Sequence, residues 1–370
     1  MKITESDISR EGFAVLHGKW GGRQGCIVGL NGKSEMRNPK CEIGYLAYPN
    51  PTLKNDTPSS RFYKYDTILR RRDAVIAHDG VNMVYKTTGK LEQSVTKTEY
   101  IKKINQIKEL LAAGEIYQIN YAIRFRKKFD GSPYAFFLKL IEANPGDFSA
   151  YINCGKFQII SSSPERLFKV EGDKIITQPI KGTVSKAGGK KSLNKLLNSE
   201  KERAELDMIT DLERNDIGKI CKYGTLKLAK EREIMELKNI WHTYSQVEGR
   251  LETGIKLNEI TNAMFPGGSI TGCPKKRAME YIEELEGLPR NIFTGSIGFI
   301  SNVRGAECRV YRTSNIAPRT TIDMNICIRT ALVHNGIIEY WAGGGIVADS
   351  DPESEYNECL LKAERFINIL

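Results

Sequence analysis

Apolar residues recur at helical spacing in the stretch that begins near Tyr100. They are Ile101, Ile104, Ile107, Leu110 and Leu111, and Gly114 follows them. Intervals of three and four positions place these side chains on one face of a helix, which the glycine ends. Similar patterns predict helices at 199–212, 257–264, 274–286 and 352–369.

After Gly114 the pattern changes to strict alternation, which is typical of a strand with one buried face. Over residues 116–125, one face is Tyr117, Ile119, Tyr121, Ile123 and Phe125, and the other holds Gln118, Asn120 and Arg124. Short apolar runs predict further strands at 157–161, 167–170, 174–177, 295–300, 325–333 and 337–341. The first part of the chain consists of short apolar runs broken by glycine and proline, which indicates strands and loops.

Several of these strands follow one another directly, and helices do not alternate with them regularly. This order favours an α+β fold with mixed or antiparallel sheets over a doubly wound parallel sheet. No G-x-G-x-x-G string follows a strand, and the string GGKKS at 188–192 lacks the spacing of a phosphate-binding loop. Nucleotide binding is therefore not supported.

The composition is that of a soluble globular protein, with 40% hydrophobic and 27% charged residues. The chain contains no apolar run of about eighteen residues and no secretory signal, so we expect a cytoplasmic protein that does not associate with membranes. Its eight cysteines are scattered without a C-x-x-C pair and its histidines number four, which argues against structural zinc and a disulfide framework.

The net charge of +10 is compatible with nucleic-acid binding or with an enzyme that acts on a small anion. The charge is spread along the whole chain, and no known nucleic-acid-binding motif is present. The densest basic run, 186–195, contains glycines and is interpreted as a solvated loop. We therefore expect no nucleic-acid partner.

The first of four segments suited to an anionic ligand is the glycine-rich turn 267–275, with the sequence GGSITGCPK. Pro274 suits the first position of the helix that follows. The free N–H groups and positive dipole end of that helix would favour a carboxylate or phosphate in the turn. The alternative is a tight connection that needs glycine only for a positive φ.

Two further segments place carboxylates on predicted helices. Glu202 and Glu205 precede the apolar positions of the helix at 199–212, and Glu205 lies at the edge of its apolar stripe. In the last helix, for which Asp351 is a good N-cap, Glu355, Glu358 and Lys362 share one face. An exposed Glu–Lys pair is the commoner explanation, but carboxylates from two helices are also ligands that Mg²⁺ uses.

The fourth segment combines Lys181, in the string TQPIKGT at 177–183, with Glu165, in the string SSPER at 162–166. A lysine beside proline and glycine is usually a turn residue, although burial or neighbouring cations can make it a nucleophile. Glu165 could act as a general acid if an apolar pocket raises its pKa. Neither role follows from the residues alone.

Together these segments resemble the chorismate-utilising enzymes, which include anthranilate, aminodeoxychorismate, isochorismate and salicylate synthases. The resemblance covers residues 96–370 and comprises 114–120, 163–166, 179–183, 203–215, 265–275 and 343–362. Residues 1–95 match poorly and look short for the family. The resemblance implies a single domain over 1–370, with two packed antiparallel sheets and helices on the outside.

The resemblance also implies a site. Mg²⁺ would be bound by Glu205 and Glu358, with Glu202 and Glu355 behind them through water. Chorismate would be bound by the glycine turns, by cationic side chains and by a positioning histidine; these residues are Gln118, His242, Thr271, Gly272, Lys275, Arg329, Gly343, Gly344, Gly345 and Lys362.

Two positions separate the subfamilies. Members that add water have a lysine base where this chain has Gln118, and an amide cannot deprotonate water. Anthranilate synthases have alanine where this chain has Lys181, which is the mark of aminodeoxychorismate synthases. In that subfamily the lysine attacks C2 of chorismate, Glu165 would help the 4-hydroxyl leave, and ammonia then adds at C4.

No nucleophilic cysteine lies in a Gly-x-Cys-x-Gly string, so the resemblance implies a separate glutamine amidotransferase subunit as the source of ammonia. The main alternative is anthranilate synthase component I; a water-adding enzyme and a non-catalytic member of the family are further ones. The stretch 303–323 looks like an insertion and has no assigned role.

Overall fold

A computed structural model describes residues 8–20, 25–29, 41–49, 60–65, 68–71, 83–236, 240–302 and 320–370. The strands in these ranges are β1 (Ala14–Gly18), β2 (Gly25–Gly29), β3 (Cys41–Leu46), β4 (Arg61–Tyr65), β5 (Ile68–Arg71), β6 (Tyr85–Gln93), β7 (Gln118–Gly131), β8 (Phe148–Asn153), β9 (Phe157–Ser163), β10 (Arg166–Glu171), β11 (Lys174–Thr177), β12 (Ile180–Ser185), β13 (Lys227–Glu236), β14 (Ile240–Arg250), β15 (Gly272–Cys273), β16 (Ser296–Asn302), β17 (Thr320–Asn325), β18 (Thr330–His334) and β19 (Ile337–Ile346).

The helices begin at residues suited to capping. Thr96 and Glu99 form a capping box at the first of them, Ser199 Oγ accepts from Glu202 N, and Asp351 Oδ1 accepts from Ser354 N. The helices are α1 (Lys97–Ala112), α2 (Pro133–Ala143), α3 (Gly189–Leu197), α4 (Glu200–Gly218), α5 (Leu257–Met264), α6 (Lys275–Glu286) and α7 (Pro352–Ile367). Within the described ranges, none of them is long and apolar enough to cross a bilayer.

The strands form two antiparallel sheets. The first has the order β15-β7-β19-β18-β9-β8-β1-β2-β5, with β6 also paired to β7. The second has the order β12-β14-β11-β10-β17-β16-β3-β4, with β13 also paired to β14. The N-terminal strands therefore enter both sheets: β1 pairs with β8, and β3 pairs with β16.

Side chains from both sheets meet in a shared core that includes Leu16, Ile43, Ile152 and Phe299. On the outer side of the first sheet, a second core joins β7 to α1, α2 and α7. On the outer side of the second sheet, a third core joins β10, β11 and β14 to α4 and α5. The α+β prediction, with two packed antiparallel sheets and helices outside, is confirmed.

The alternation along β7 is also confirmed, because Ile119, Tyr121, Ile123 and Phe125 are all buried in the core beside the helices. Tyr117 departs from the predicted face: it precedes the strand and is 63% exposed.

Two structural predictions are wrong. The strand predicted over 325–333 is two strands, because Arg329 has φ +51 and so leaves the extended conformation between β17 and β18. The run 186–195 is not a solvated loop, since Gly189–Leu197 forms α3 with Leu196 buried. The greater part of the stretch 303–323 lies outside the described residues; Thr320–Asn325 is β17.

Candidate active site

Lys181 lies at an irregularity in the pairing of β12 with β14. Lys181 pairs with Thr243, and the register then shifts before Thr183. Gly182, at the shift, has φ +66, and an added Cβ would lie 2.6 Å from Leu196 Cδ1 and 3.2 Å from Glu202 Oε2. Thr243 Oγ1 donates to the Lys181 carbonyl at 2.5 Å. The bulge therefore fixes the backbone of Lys181 close to α4.

Glu165 lies at the start of β10 and is 6% exposed. Ser269 Oγ donates to its Oε1 at 3.2 Å, and the backbone N–H of Ile180 also donates to the carboxyl group. Burial raises the pKa of Glu165 to about 7, although Lys181 and Arg329 act in the opposite direction. A carboxyl group with this pKa can both give and take a proton near neutral pH.

The four glutamates of the predicted metal site come from the first part of α4 and from α7. Burial raises the pKa of Glu205; Lys181 opposes this, and the Glu202 and Glu358 carboxylates add to it. Burial also raises the pKa of Glu355, whose Oε1 accepts from Ser350 Oγ at 2.7 Å. Burial acts to raise the pKa of Glu358, but Lys362, which forms an ion pair of 2.7 Å with it, and the charges of Lys201 and Lys181 together lower it.

The Glu358 carboxylate of α7 acts on Glu205 of α4, so these two side chains lie within electrostatic reach of each other. Within the described ranges, no three His, Cys, Asp or Glu side chains are close enough to form a complete metal-binding group. Mg²⁺ needs only one or two carboxylates when water and substrate supply the other oxygens. Glu205 is partly buried and Glu358 is exposed, and two carboxylates from different helices fit such an ion.

The glycine-rich turn is hydrogen-bonded to the beginning of β7. Gly272 pairs with Ile119, and Asn120 N donates to the Thr271 carbonyl at 2.8 Å. The hydroxyl of Thr271 is turned back onto Gly267 O at 2.8 Å. Gly272 has φ +146, and an added Cβ would lie 2.2 Å from Gln118 O. Glycine is thus required at position 272 by both conformation and space.

The second glycine turn lies on β19, which pairs with β7. Lys362 Nζ donates to the Gly343 carbonyl at 3.1 Å. A Cβ added to Gly344 would lie 3.4 Å from Glu355 Oε2, and one added to Gly345 would lie 2.6 Å from Gln118 Nε2. Because residues 344 and 345 have no side chains, there is space for Glu355 of α7 beside Gly344 and for Gln118 of β7 beside Gly345.

Gln118 and Asn120 are buried on the face of β7 that was predicted to be polar, at 1% and 8% exposure. In the described part of the chain, neither Gln118 Oε1, Gln118 Nε2 nor Asn120 Oδ1 has a hydrogen-bond partner. Buried polar atoms normally have partners, and an exception calls for a bound ligand or water. These atoms therefore indicate a ligand-binding space beside Gly345.

Three predicted residues, His242, Arg329 and Lys275, have partners elsewhere in the chain. His242 is buried, its Nδ1 donates to the Gly182 carbonyl at 3.2 Å, and burial lowers its pKa. Burial also lowers the pKa of Arg329, and its charge acts on Glu165. Lys275 Nζ forms an ion pair of 2.5 Å with Asp216 Oδ2, so its charge is engaged by α4.

The sequence analysis missed the buried ion pair that connects these parts. Arg290 donates to Glu286 with two nitrogens, to Ile270 O at 3.0 Å and to Asn120 O at 2.8 Å. Nothing in the sequence distinguishes this arginine and glutamate, four residues apart, from an exposed pair, and the fold buries them. It also missed Ser269, which contacts Glu165.

A cavity of about 650 Å³ lies apart from this group, lined by Asp130, Asn153 and His334 among others. It contains none of the predicted site residues. The site is instead defined by the polar side chains gathered between β7, β12, α4 and α7.

Sequence comparison gives a match over residues 50–368 to the family described as chorismate binding enzyme. The chain is 36% identical to aminodeoxychorismate synthase component 1 of Bacillus subtilis, over 75% of this chain and 57% of that protein. For the protein of the same name from Escherichia coli the identity is 38%, over 77% and 60%. Anthranilate synthase component 1 of Aquifex aeolicus is 37% identical, over 89% and 74%.

The chain thus spans less than two thirds of the length of the two aminodeoxychorismate synthase relatives. Among solved structures, anthranilate synthase component I of Streptococcus pneumoniae has a TM-score of 0.70 at 23% identity, covering 98% of this chain and 93% of that one. The menaquinone-specific isochorismate synthase of E. coli has a TM-score of 0.77 at 16% identity, covering 99% and 90%. These two structures share the fold.

Proposed function

This chain belongs to the family of chorismate-binding enzymes, and we propose that it transfers ammonia to C4 of chorismate in a magnesium-dependent reaction that forms 4-amino-4-deoxychorismate. The observation that carries the proposal is the placement of Lys181 at a backbone bulge, within electrostatic reach of the buried Glu165. Relatives named aminodeoxychorismate synthase component 1 support it.

In the proposed reaction the neutral Lys181 amine attacks C2 of chorismate. Both ring double bonds shift along the conjugated diene, the C4–O bond breaks, and Glu165 gives its proton so that the 4-hydroxyl leaves as water. Ammonia then attacks C4, the double bonds shift back, and the C2–N bond to Lys181 breaks. After proton transfer back to Glu165, the product keeps its enolpyruvyl group and Lys181 is free again.

Gln118 disfavours water as the nucleophile, because its amide has no proton-accepting nitrogen near neutral pH. A second candidate is direct addition of ammonia at C2, as in anthranilate synthase. The similarity to the anthranilate synthase of Aquifex aeolicus extends over more of this chain than the similarity to the other two relatives quoted, and this favours amination at C2 as the second candidate. Lys181 is the residue that decides between the two reactions.

Magnesium would be held by Glu205 and Glu358, with Glu202 and Glu355 behind them. The ion would supply positive charge that binds and orients a substrate carboxylate. Lys362, which bonds to both Glu358 and the Gly343 carbonyl, would bring a further positive charge to the same edge of the site.

Replacing Glu358 with glutamine should weaken Mg²⁺ binding by at least about tenfold, because an amide carries no charge for a hard cation. Isothermal calorimetry with MgCl₂ measures this without any turnover. Glu364→Gln, an exposed position on the same helix, is the matched control and should bind like the parent. Equal Mg²⁺ affinity in the Glu358 variant and the parent would remove that residue from the metal site.

Replacing Gly345 with alanine should raise the KM for chorismate by about tenfold or more while changing stability little. The new Cβ would press on the end of the Gln118 side chain, which can move, and a shift of about 1 Å in a binding group can cost about 100-fold in rate. Gly343→Ala should instead lower the melting temperature of the chain, because the added Cβ would lie 2.3 Å from the Tyr121 carbonyl oxygen. Unaltered kinetics in Gly345→Ala would contradict a substrate-binding role for this face.

Ammonia would come from a separate glutamine amidotransferase subunit, in keeping with the component 1 names of the relatives. An excess of ammonium salt at alkaline pH should replace that partner. The test of the proposed function is therefore loss of chorismate by the purified chain with Mg²⁺, with and without ammonium. Turnover that needs both, and gives an aminated product, supports the proposal; turnover without ammonium would point to water addition and contradict it.

A further inference from the structure

Helix α4 carries a buried carboxyl group that the proposed reaction does not use. Glu213 is 3% exposed and lies farther along the helix than Glu205. Its carboxyl group contacts the hydroxyl of Thr177, the last residue of β11. Within the described ranges, Glu213 forms no ion pair, which is unusual for a buried carboxylate.

The two contacts of the Thr177 hydroxyl indicate whether the Glu213 carboxyl group is protonated. Thr177 Oγ1 lies 2.8 Å from the Leu167 carbonyl oxygen and 2.5 Å from Glu213 Oε2. A hydroxyl has one proton to donate, and a carbonyl oxygen only accepts. When Thr177 donates to Leu167, the remaining contact is a hydrogen bond only if Glu213 donates to Thr177. A protonated Glu213 satisfies both contacts, whereas a carboxylate leaves two acceptors competing for one proton.

The charged groups around Glu213 favour the same state. Burial raises the pKa of Glu213; the contact with Thr177 opposes this effect, whereas the neighbouring Glu165 and Asp216 carboxylates add to it, and the result is a pKa of about 8. Lys275 acts in the opposite direction, but its Nζ is bound to Asp216, whose other oxygen binds Lys219 at 2.8 Å. Lys275 therefore shares the single negative charge of Asp216 with Lys219.

We propose that Glu213 is a neutral carboxylic acid in the working enzyme and acts as a positioning residue: it donates through Thr177 to the backbone of Leu167, two residues after Glu165. Ionisation of Glu213 would break this chain of hydrogen bonds. It would also place a negative charge within electrostatic reach of Glu165, and this charge would repel the carboxylates of chorismate. The repulsion of chorismate rests on the proposed function, whereas the loss of the hydrogen bonds does not.

The protonation state can be tested by stability alone. The pKa of Glu213 is higher in the folded chain than the ordinary value that applies when unfolded, so the folded state loses stability as pH rises between those two values. Glu213→Gln keeps a donor for Thr177 and has no such loss. Its melting temperature should match that of the parent near pH 5 and exceed it by several degrees at pH 8.5. Glu200→Gln, an exposed position on α4, should show no such trend.

The positioning role can be tested by chorismate binding, measured by calorimetry without ammonium. From pH 7 to pH 9 the dissociation constant should rise several-fold more in the parent than in Glu213→Gln, because Glu165, whose pKa is about 7, titrates in both chains and Glu213 titrates only in the parent. If Glu213→Gln is less stable than the parent at every pH, or equally stable at every pH, the claim that Glu213 is a neutral carboxylic acid is wrong. Parallel binding curves with the predicted stability trend would overturn the positioning role. If neither chain binds chorismate, the proposed function fails, and the melting temperatures still decide the state of Glu213.

Discussion

Replacing Lys181 with alanine should lower the formation of 4-amino-4-deoxychorismate by about 1,000-fold or more, because the reaction then lacks its nucleophile. The fold should be unaffected, since Lys181 is partly exposed and its structural hydrogen bond uses the backbone carbonyl. Rates are measured with chorismate, Mg²⁺ and ammonium, and products are separated by chromatography with mass detection. Some anthranilate is also expected, because ammonia can then attack C2 directly.

Two further variants make this result specific. Lys181→Arg keeps the charge but not a nucleophilic amine, so it should be as inactive as the alanine variant. Lys191→Ala, an exposed position on α3, should be as active as the parent. An alanine variant at position 181 with the activity of the parent would remove Lys181 from the reaction.

Replacing Arg290 with methionine should destabilise the chain by about 3–5 kcal/mol, the cost of breaking a buried ion pair. Its side chain and that of Glu286 are 0% and 1% exposed, and their closest atoms are 2.6 Å apart. Burial opposes the charge of Arg290, but Glu286 outweighs it and raises the pKa of the guanidinium. The methionine variant would leave the Glu286 carboxylate without its cation in the protein interior.

Urea denaturation measures this loss. The control is the exposed Arg277, whose partners Glu115 and Glu280 are also exposed, so that Arg277→Met should cost much less stability than Arg290→Met. An Arg290 variant that loses no more stability than the control would show that the pair is dispensable. Because Arg290 also binds the carbonyls of Ile270 and Asn120, its loss should loosen the glycine-rich turn from β7.

The sequence predicted the fold where local pattern and tertiary structure agree. The alternation over β7 and the helical spacing after Tyr100 were sufficient because one face of each element is buried in a single core. The run 325–333 was read as one strand because its apolar residues are continuous. Composition does not reveal that Arg329 adopts a positive φ and divides the run.

The site was predicted unevenly for a similar reason. Family-like strings located Lys181, Glu165 and the glutamates, whose electrostatic coupling across α4 and α7 then followed from the fold. Interactions between distant segments could not be read from the sequence. Lys275 is bound to Asp216, and Glu213 contacts Thr177, because α4 packs against β14 and against the turn at Gly268–Ile270.

Pyruvate released per chorismate consumed, measured with Mg²⁺ and ammonium present, distinguishes amination at C4 from amination at C2. We expect chorismate to be consumed with no pyruvate released, since the C4-aminated product retains its enolpyruvyl group. Anthranilate together with one equivalent of pyruvate would contradict it and identify amination at C2.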